Sequence, residues 1–282
     1  MNLSSKGTFI MKRIRPLILA GLLGLCSCAG TPPATDWTAD TVRIPAGPFT
    51  MGMVIKNDHL WGDTDEEPVH EVTLSEYYID RYEVTAHDFA QFLNAHPDEA
   101  ERYIELGKAV TIEQADGDYR ARPGLEKYPA NRVSWYGADA YCRWRGQRLP
   151  TEAEWEKAAR GTDERPFPWG DQYPHNDFVT FRRPFVKHGF DAMKPVDAMP
   201  EGRSPYGLHH MAGNAWEWVA DWYDAGYYDE SPAQDPQGPD TGISKVLRGG
   251  NWYFKAYYMR TTYRFNEHPD VFKVWQGFRC AE

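Results

Sequence analysis

The chain has 282 residues, a formal net charge of −10, 41% hydrophobic and 15% aromatic residues, and 24 glycines with 21 prolines. An acidic balance of that size excludes phosphate-backbone binding, which needs clustered Lys and Arg to displace counterions, so no nucleic acid partner is expected. The length accommodates a leader and one turn-rich domain of roughly 240 residues.

In chain order, Lys12-Arg-Ile-Arg15 precedes the apolar run from Pro16 to Leu25. A basic stretch followed by a short apolar one is the pattern of a secretory signal, and the run is too short to span a bilayer. Met11 is an alternative start, since the residues before it add nothing to a signal. The run ends in Leu25-Cys-Ser-Cys28, where small Ser27 precedes Cys28 and bulky Leu25 precedes Cys26. Cys28 is therefore the expected lipid acceptor and residues 1–28 the lipoprotein signal peptide. An ordinary cleaved signal with two incidental cysteines is the alternative. Several acyl chains on one cysteine anchor stably, because membrane affinity grows with each buried methylene. The expected location is the bacterial cell envelope, lipid-anchored on its periplasmic or surface side, with residues 29–41 as a flexible tether.

Within the remaining domain, 42–282, short strands are predicted at 42–44, 71–74, 78–82 and 245–248, between Gly and Pro turns. A helix over 84–95, opened by Thr85, puts Phe89, Phe92 and Leu93 on one face. A second over 134–145 brings Ala138, Tyr141 and Cys142 together. A third starts at Thr151, where Thr151-Glu-Ala-Glu154 has capping-box spacing and Trp155 and Ala158 face inward. Residues 95–128 are charged and include Gln114-Ala-Asp-Gly-Asp-Tyr-Arg120, which reads as a surface loop insertion shaping a binding face.

Eleven tryptophans need a place. Trp216, Trp218 and Trp222 flank Glu217 and Asp221 at mixed spacing and read as packing. Trp252 and Trp275 bracket a stretch dense in polar groups, including Asn251, Lys255, Arg260, Tyr263, Arg264, Glu267 and His268. One reading makes Asn251, Trp252, Arg260, Tyr263, Arg264 and Trp275 a ligand groove, with Arg260 and Arg264 clamping a carboxylate and Glu267 or His268 moving a proton. The other makes the arginines, Arg279 among them, buried donors to loop carbonyls. His209 and His210 are adjacent, point apart in extended chain and read as loop-satisfying residues. No Gly-x-Ser-x-Gly elbow and no phosphate-cradling loop with Lys is present.

Six words in order, Arg43-Ile-Pro-Ala-Gly-Pro-Phe-Thr-Met-Gly52, Tyr82-Glu-Val-Thr85, Arg148-Leu-Pro-Thr-Glu-Ala-Glu-Trp-Glu156, Gly213-Asn-Ala-Trp-Glu-Trp218, Val246-Leu-Arg-Gly-Gly-Asn-Trp252 and Gly277-Phe-Arg-Cys280, carry a resemblance. The chain resembles the formylglycine-generating enzyme (sulfatase-modifying factor) family from about Val42 to its end. The resemblance implies an α+β, irregular, loop-rich, C-type-lectin-like fold in a single domain. It also implies a disulfide between Cys142 and Cys280, free buried thiols being the alternative. The long loop such a bond closes would put its stabilisation near the upper end of the usual range. It implies calcium held by Gly213, Ala215 and Glu217; His210 and His188 stand where the family places oxygen ligands, and imidazole there invites Zn²⁺ or Cu²⁺ instead. Phe254 and Met259 stand where the oxidase members carry two thiols, so no copper dithiol site and no formylglycine formation are expected. The three-histidine iron site of the ergothioneine-pathway relatives has no counterpart here. Two functions follow from the resemblance: a binding or assembly component with a protein or small-molecule ligand in the envelope, or a periplasmic oxidoreductase of the pyoverdine-maturation type using non-cysteine residues.

Overall fold

The structure, a computed structural model, describes residues 40–54 and 62–282; the signal over 1–28, the acceptor Cys28 and the tether up to 39 lie outside the described residues. Four strands open the domain: β1 (Thr41–Ile44), β2 (Gly47–Met51), β3 (His70–Leu74) and β4 (Tyr77–Asp80). β1 pairs antiparallel with β4, and β2 with β3. Their side chains alternate, so Phe49 and Met51 join Val72, Leu74, Tyr77 and Ile79 inside.

Helix α1 (Ala86–Ala95) begins where Thr85 accepts the Asp88 amide at 3.1 Å. The chain then forms α2 (Ala100–Tyr103) and a hairpin of β5 (Ile112–Ala115) and β6 (Asp118–Ala121). This corrects the loop expected over 95–128. Asp116 and Gly117 both take positive φ (56° and 94°), as a two-residue type I′ hairpin turn requires. Asn94 then bridges both backbone groups of Tyr119 at 2.7 Å and docks the hairpin on α1.

α3 (Trp135–Trp144) is capped by Ser134, and α4 (Glu152–Arg160) by Thr151 with the reciprocal Glu154 bond of a capping box. The rest comprises α5 (Phe185–His188), β7 (Trp216–Trp222), α6 (Tyr227–Glu230), β8 (Lys245–Arg248), β9 (Phe265–Glu267) and β10 (Gln276–Phe278). The last four strands form one sheet in the order β10-β7-β8-β9, with β10 parallel to β7 and the other pairs antiparallel.

β7 divides the core in two. Trp216 and Trp218 point into a cluster with Phe89, Phe92, Tyr141 and Phe278, on the α1 and α3 side. Val219 points the other way, into a cluster with Trp155 and Ala158 of α4 and the first four strands. Both faces of β7 are covered, so its polar Glu217 and Asp221 are buried along with Trp216, Trp218 and Val219. Cys142 of α3 and Cys280 form a disulfide with Cα atoms 5.5 Å apart.

Candidate functional site

The floor of the C-terminal segment is an arginine-carboxylate lattice. Arg264 donates to both oxygens of Glu152 at 2.8 and 3.0 Å, and Arg260 to both oxygens of Glu66 at 2.5 Å. Arg248 donates to Glu156 and to the carbonyls of Thr261, Thr262 and Tyr263. All six of these side chains are buried. Burial opposes the Arg264 charge, yet Glu152 and the Tyr228 hydroxyl hold its pKa raised; burial likewise opposes the Glu152 charge, and Arg264 and Arg248 outweigh it to lower that pKa.

Arg260 and Arg264, the expected ligand clamp, are thus committed to protein carboxylates. Arg279 spans both oxygens of Glu217, at 2.7 and 2.6 Å, and the carbonyls of Asp80, Arg81 and His209, as the loop-satisfying reading has it. Trp252 is buried against Ala192 and Met193. Tyr263 is buried among Trp216, Tyr257 and Tyr258, and half-buried Trp275 packs on Phe254 and Phe265. Glu267 is half-buried on β9 and His268 is exposed, 3.6 Å from Asp270. The expected groove residues therefore form a floor and a flank, and do not converge on one cavity.

Glu217, the carboxylate implied for calcium with Gly213 and Ala215, is already occupied and does not fit that ion as placed. Both oxygens of Glu217 are taken by Arg279, and one also accepts Trp155 Nε1 at 2.8 Å. His210 is buried with Nε2 3.1 Å from the Pro195 carbonyl; burial lowers its pKa to about 3. His209 Nδ1 lies 2.9 Å from the Ala198 carbonyl. Among the described residues no group of three or more His, Cys, Asp or Glu side chains is placed to hold a metal. No step is derived through one.

Above the floor lies an open groove of two depressions, about 380 and 340 Å³, which share Arg182 and Lys255. Tyr173, Ala256 and Tyr257 line the first; Pro184, Tyr253, Phe254 and Tyr258 line the second. Local backbone chemistry builds it. Asn251 Oδ1 accepts the amides of Tyr253 and Phe254 at 2.7 and 3.0 Å, turning the chain outward. The amides of Arg182 and Arg183 donate to the carbonyls of Phe254 and Trp252, at 2.9 and 2.8 Å, tying the second wall to the first. Gly250 has φ +74°, and a Cβ there would sit 2.6 Å from the Tyr258 carbonyl, so only glycine lets the segment fold back this tightly.

Tyr173 is 57% and Tyr253 51% exposed, an aromatic surface that the floor residues do not offer. The Tyr257 phenol is held above its usual range by burial and by its hydrogen bond to Asp63. Neither Arg182 nor Lys255 has an ion-pair partner among the described residues. A third cavity, about 290 Å³, is lined by Asp40, Asp80, Glu83, Asp88 and Arg145. Its two buried carboxylates are occupied, Asp80 by Arg145 and the Cys280 amide, Glu83 by Asn214 and the Ala215 amide. Tyr173, Arg182, Tyr253, Tyr257 and Tyr258 were not singled out by sequence reasoning. The available signal was the run Trp252-Tyr-Phe-Lys-Ala-Tyr-Tyr-Met259, too aromatic for an ordinary turn.

A loop-rich α+β domain with its groove on the segment after a Gly-Gly pair defines the C-type-lectin-like class. Within that class the chain belongs to the sulfatase-modifying factor enzyme 1-like domain family, whose pattern matches residues 29–282. It is 36% identical over 285 residues to the formylglycine-generating enzyme of Streptomyces coelicolor, covering 86% of this chain and 89% of that one. It is also 36% identical over 228 residues to the serine/threonine-protein kinase pkn1 of Chlamydia caviae, where it covers 78% of this chain and spans only 35% of that relative. Among solved structures, PvdO from Pseudomonas aeruginosa superposes with a TM-score of 0.69 at 28% identity, covering 86% of this chain and 93% of that one.

Proposed function

We propose that this protein is a binding or assembly component of the bacterial cell envelope, held to a membrane by lipid on Cys28, that has lost the formylglycine-generating dithiol. The supporting observation is the make-up of the groove. Phe254 lines its wall, Met259 is wholly buried under Gly250, and the two cysteines among the described residues are joined to each other. A copper-bound dithiol needs two soft thiolates on one metal, and a phenyl ring and a thioether supply none. The tyrosine-lined depressions are the face that engages a protein or small-molecule ligand, since aromatic side chains beside Arg give large contact at small entropic cost.

A second reading, a periplasmic oxidoreductase of the pyoverdine-maturation type, is favoured by the similarity to PvdO. Metal analysis of the purified protein together with an oxygen-consumption assay on phenolic and peptide substrates separates the two. The binding reading expects no turnover. Catalytic oxidation of any of these substrates, lost in a Tyr253→Ala variant, would move the assignment to the second reading.

A further inference from the structure

We propose that the groove's ligand is an aromatic carboxylate, its anion held between Arg182 and Lys255 and its ring laid on the tyrosines on either side. The inference rests on the binding reading above and adds the chemistry of the ligand. In a chain of net charge −10, the structure gives Arg145, Arg148, Arg248, Arg260, Arg264 and Arg279 each a carboxylate partner. Arg182 and Lys255 are exposed, have none among the described residues, and stand together on the saddle between the two depressions.

Two like charges on one saddle repel, and an anion between them removes that repulsion while gaining charge-assisted hydrogen bonds. Exposed Tyr253 and Tyr173 flank the saddle, one in each depression, and supply aromatic surface on which a ligand ring can stack. Each depression is of the size of a small ligand site. The same two cations disfavour a ligand that brings its own guanidinium, which sets this groove against basic peptides.

The test is titration of the full-length, detergent-solubilised protein, by calorimetry, with 4-hydroxyphenylacetate, its neutral amide, and N-acetyl-Asp-Tyr amide. The inference expects the free acid or the acidic dipeptide to bind at least about 10-fold more tightly than the amide, with affinity falling as salt is raised. Which of the two binds tells whether the aromatic carboxylate is a free compound or part of a peptide. Arg182→Gln and Lys255→Gln should each weaken that probe about 10-fold with the melting temperature unchanged. Equal binding of acid and amide, both weakened by Tyr253→Ala, would overturn the anion assignment and leave the binding reading standing. Binding by none of the probes would overturn the inference and count against the groove as a ligand face.

Discussion

Arg264 shows how a residue type that signals recognition in sequence becomes structure when a carboxylate lies within reach. Removing its side chain leaves Glu152 buried, with Arg248 at 3.3 Å as its remaining cation among the described residues. Arg264→Ala is therefore expected to destabilise by about 3–5 kcal/mol, the range for breaking a buried pair, read by chemical denaturation. Arg260→Ala should do the same through Glu66. If either melts like the parent, the lattice is not what holds this segment.

Asp221 offers a pH-dependent counterpart. Burial first, and then the neighbouring Glu152 charge, raise its pKa to about 8, while its oxygen accepts the Glu152 amide at 2.8 Å. In the unfolded chain the same carboxyl titrates near about pH 4. Between those values the folded state holds the extra proton, so this group's contribution falls as pH rises through the window. Asp221→Asn keeps the acceptor and cannot ionise. Its stability relative to the parent should improve steadily from pH 4 to pH 8, as urea midpoints would register, and a constant difference across that range would contradict the assignment.

The helices were the most legible elements. Thr85, Ser134 and Thr151 each sit one residue before a helix and accept an amide three residues on, the local bond that sequence spacing can announce. Thr151→Ala should cost about 1 kcal/mol, seen as a lower denaturation midpoint. Of the strands, β1, β3, β4 and β8 were legible within a residue or two, whereas β2 and the local β5–β6 hairpin were not. β7, β9 and β10 were missed as well: β7 carries the tryptophans read as packing and buries Glu217 and Asp221 on its other face, and β9 and β10 are three residues each, too short to show a period of two. The Cys142–Cys280 bond came from the family words, and it closes a loop spanning 138 positions. Cys142→Ser with Cys280→Ser should lower stability by about 5 kcal/mol in the chain-entropy model, and an unchanged midpoint would show the link to be dispensable.

At the scale of the molecule, fold and family were legible because rare words recur in one order, whereas the site was legible only to its segment. Which side of residues 251–275 faces solvent depends on Glu66 and Glu152, remote carboxylates that draw Arg260 and Arg264 inward and leave Tyr253, Lys255 and Tyr257 above. No periodicity encodes that choice in a segment whose regular structure is one 3-10 turn and the three-residue strand β9. The envelope location we propose rests on Cys28: Cys28→Ser is expected to release the protein into the soluble envelope fraction, and unchanged fractionation with an unlipidated Cys28 in the parent would refute the anchor. The chain keeps the fold of the formylglycine-generating enzymes, and we propose that it has replaced their chemistry at Phe254 and Met259. Mass spectrometry of a Cys-x-Pro-x-Arg peptide incubated with the purified protein, copper and a thiol reductant tests this replacement directly. No formylglycine aldehyde is expected above a no-protein control; multiple turnovers to the aldehyde would show that the chemistry has been kept.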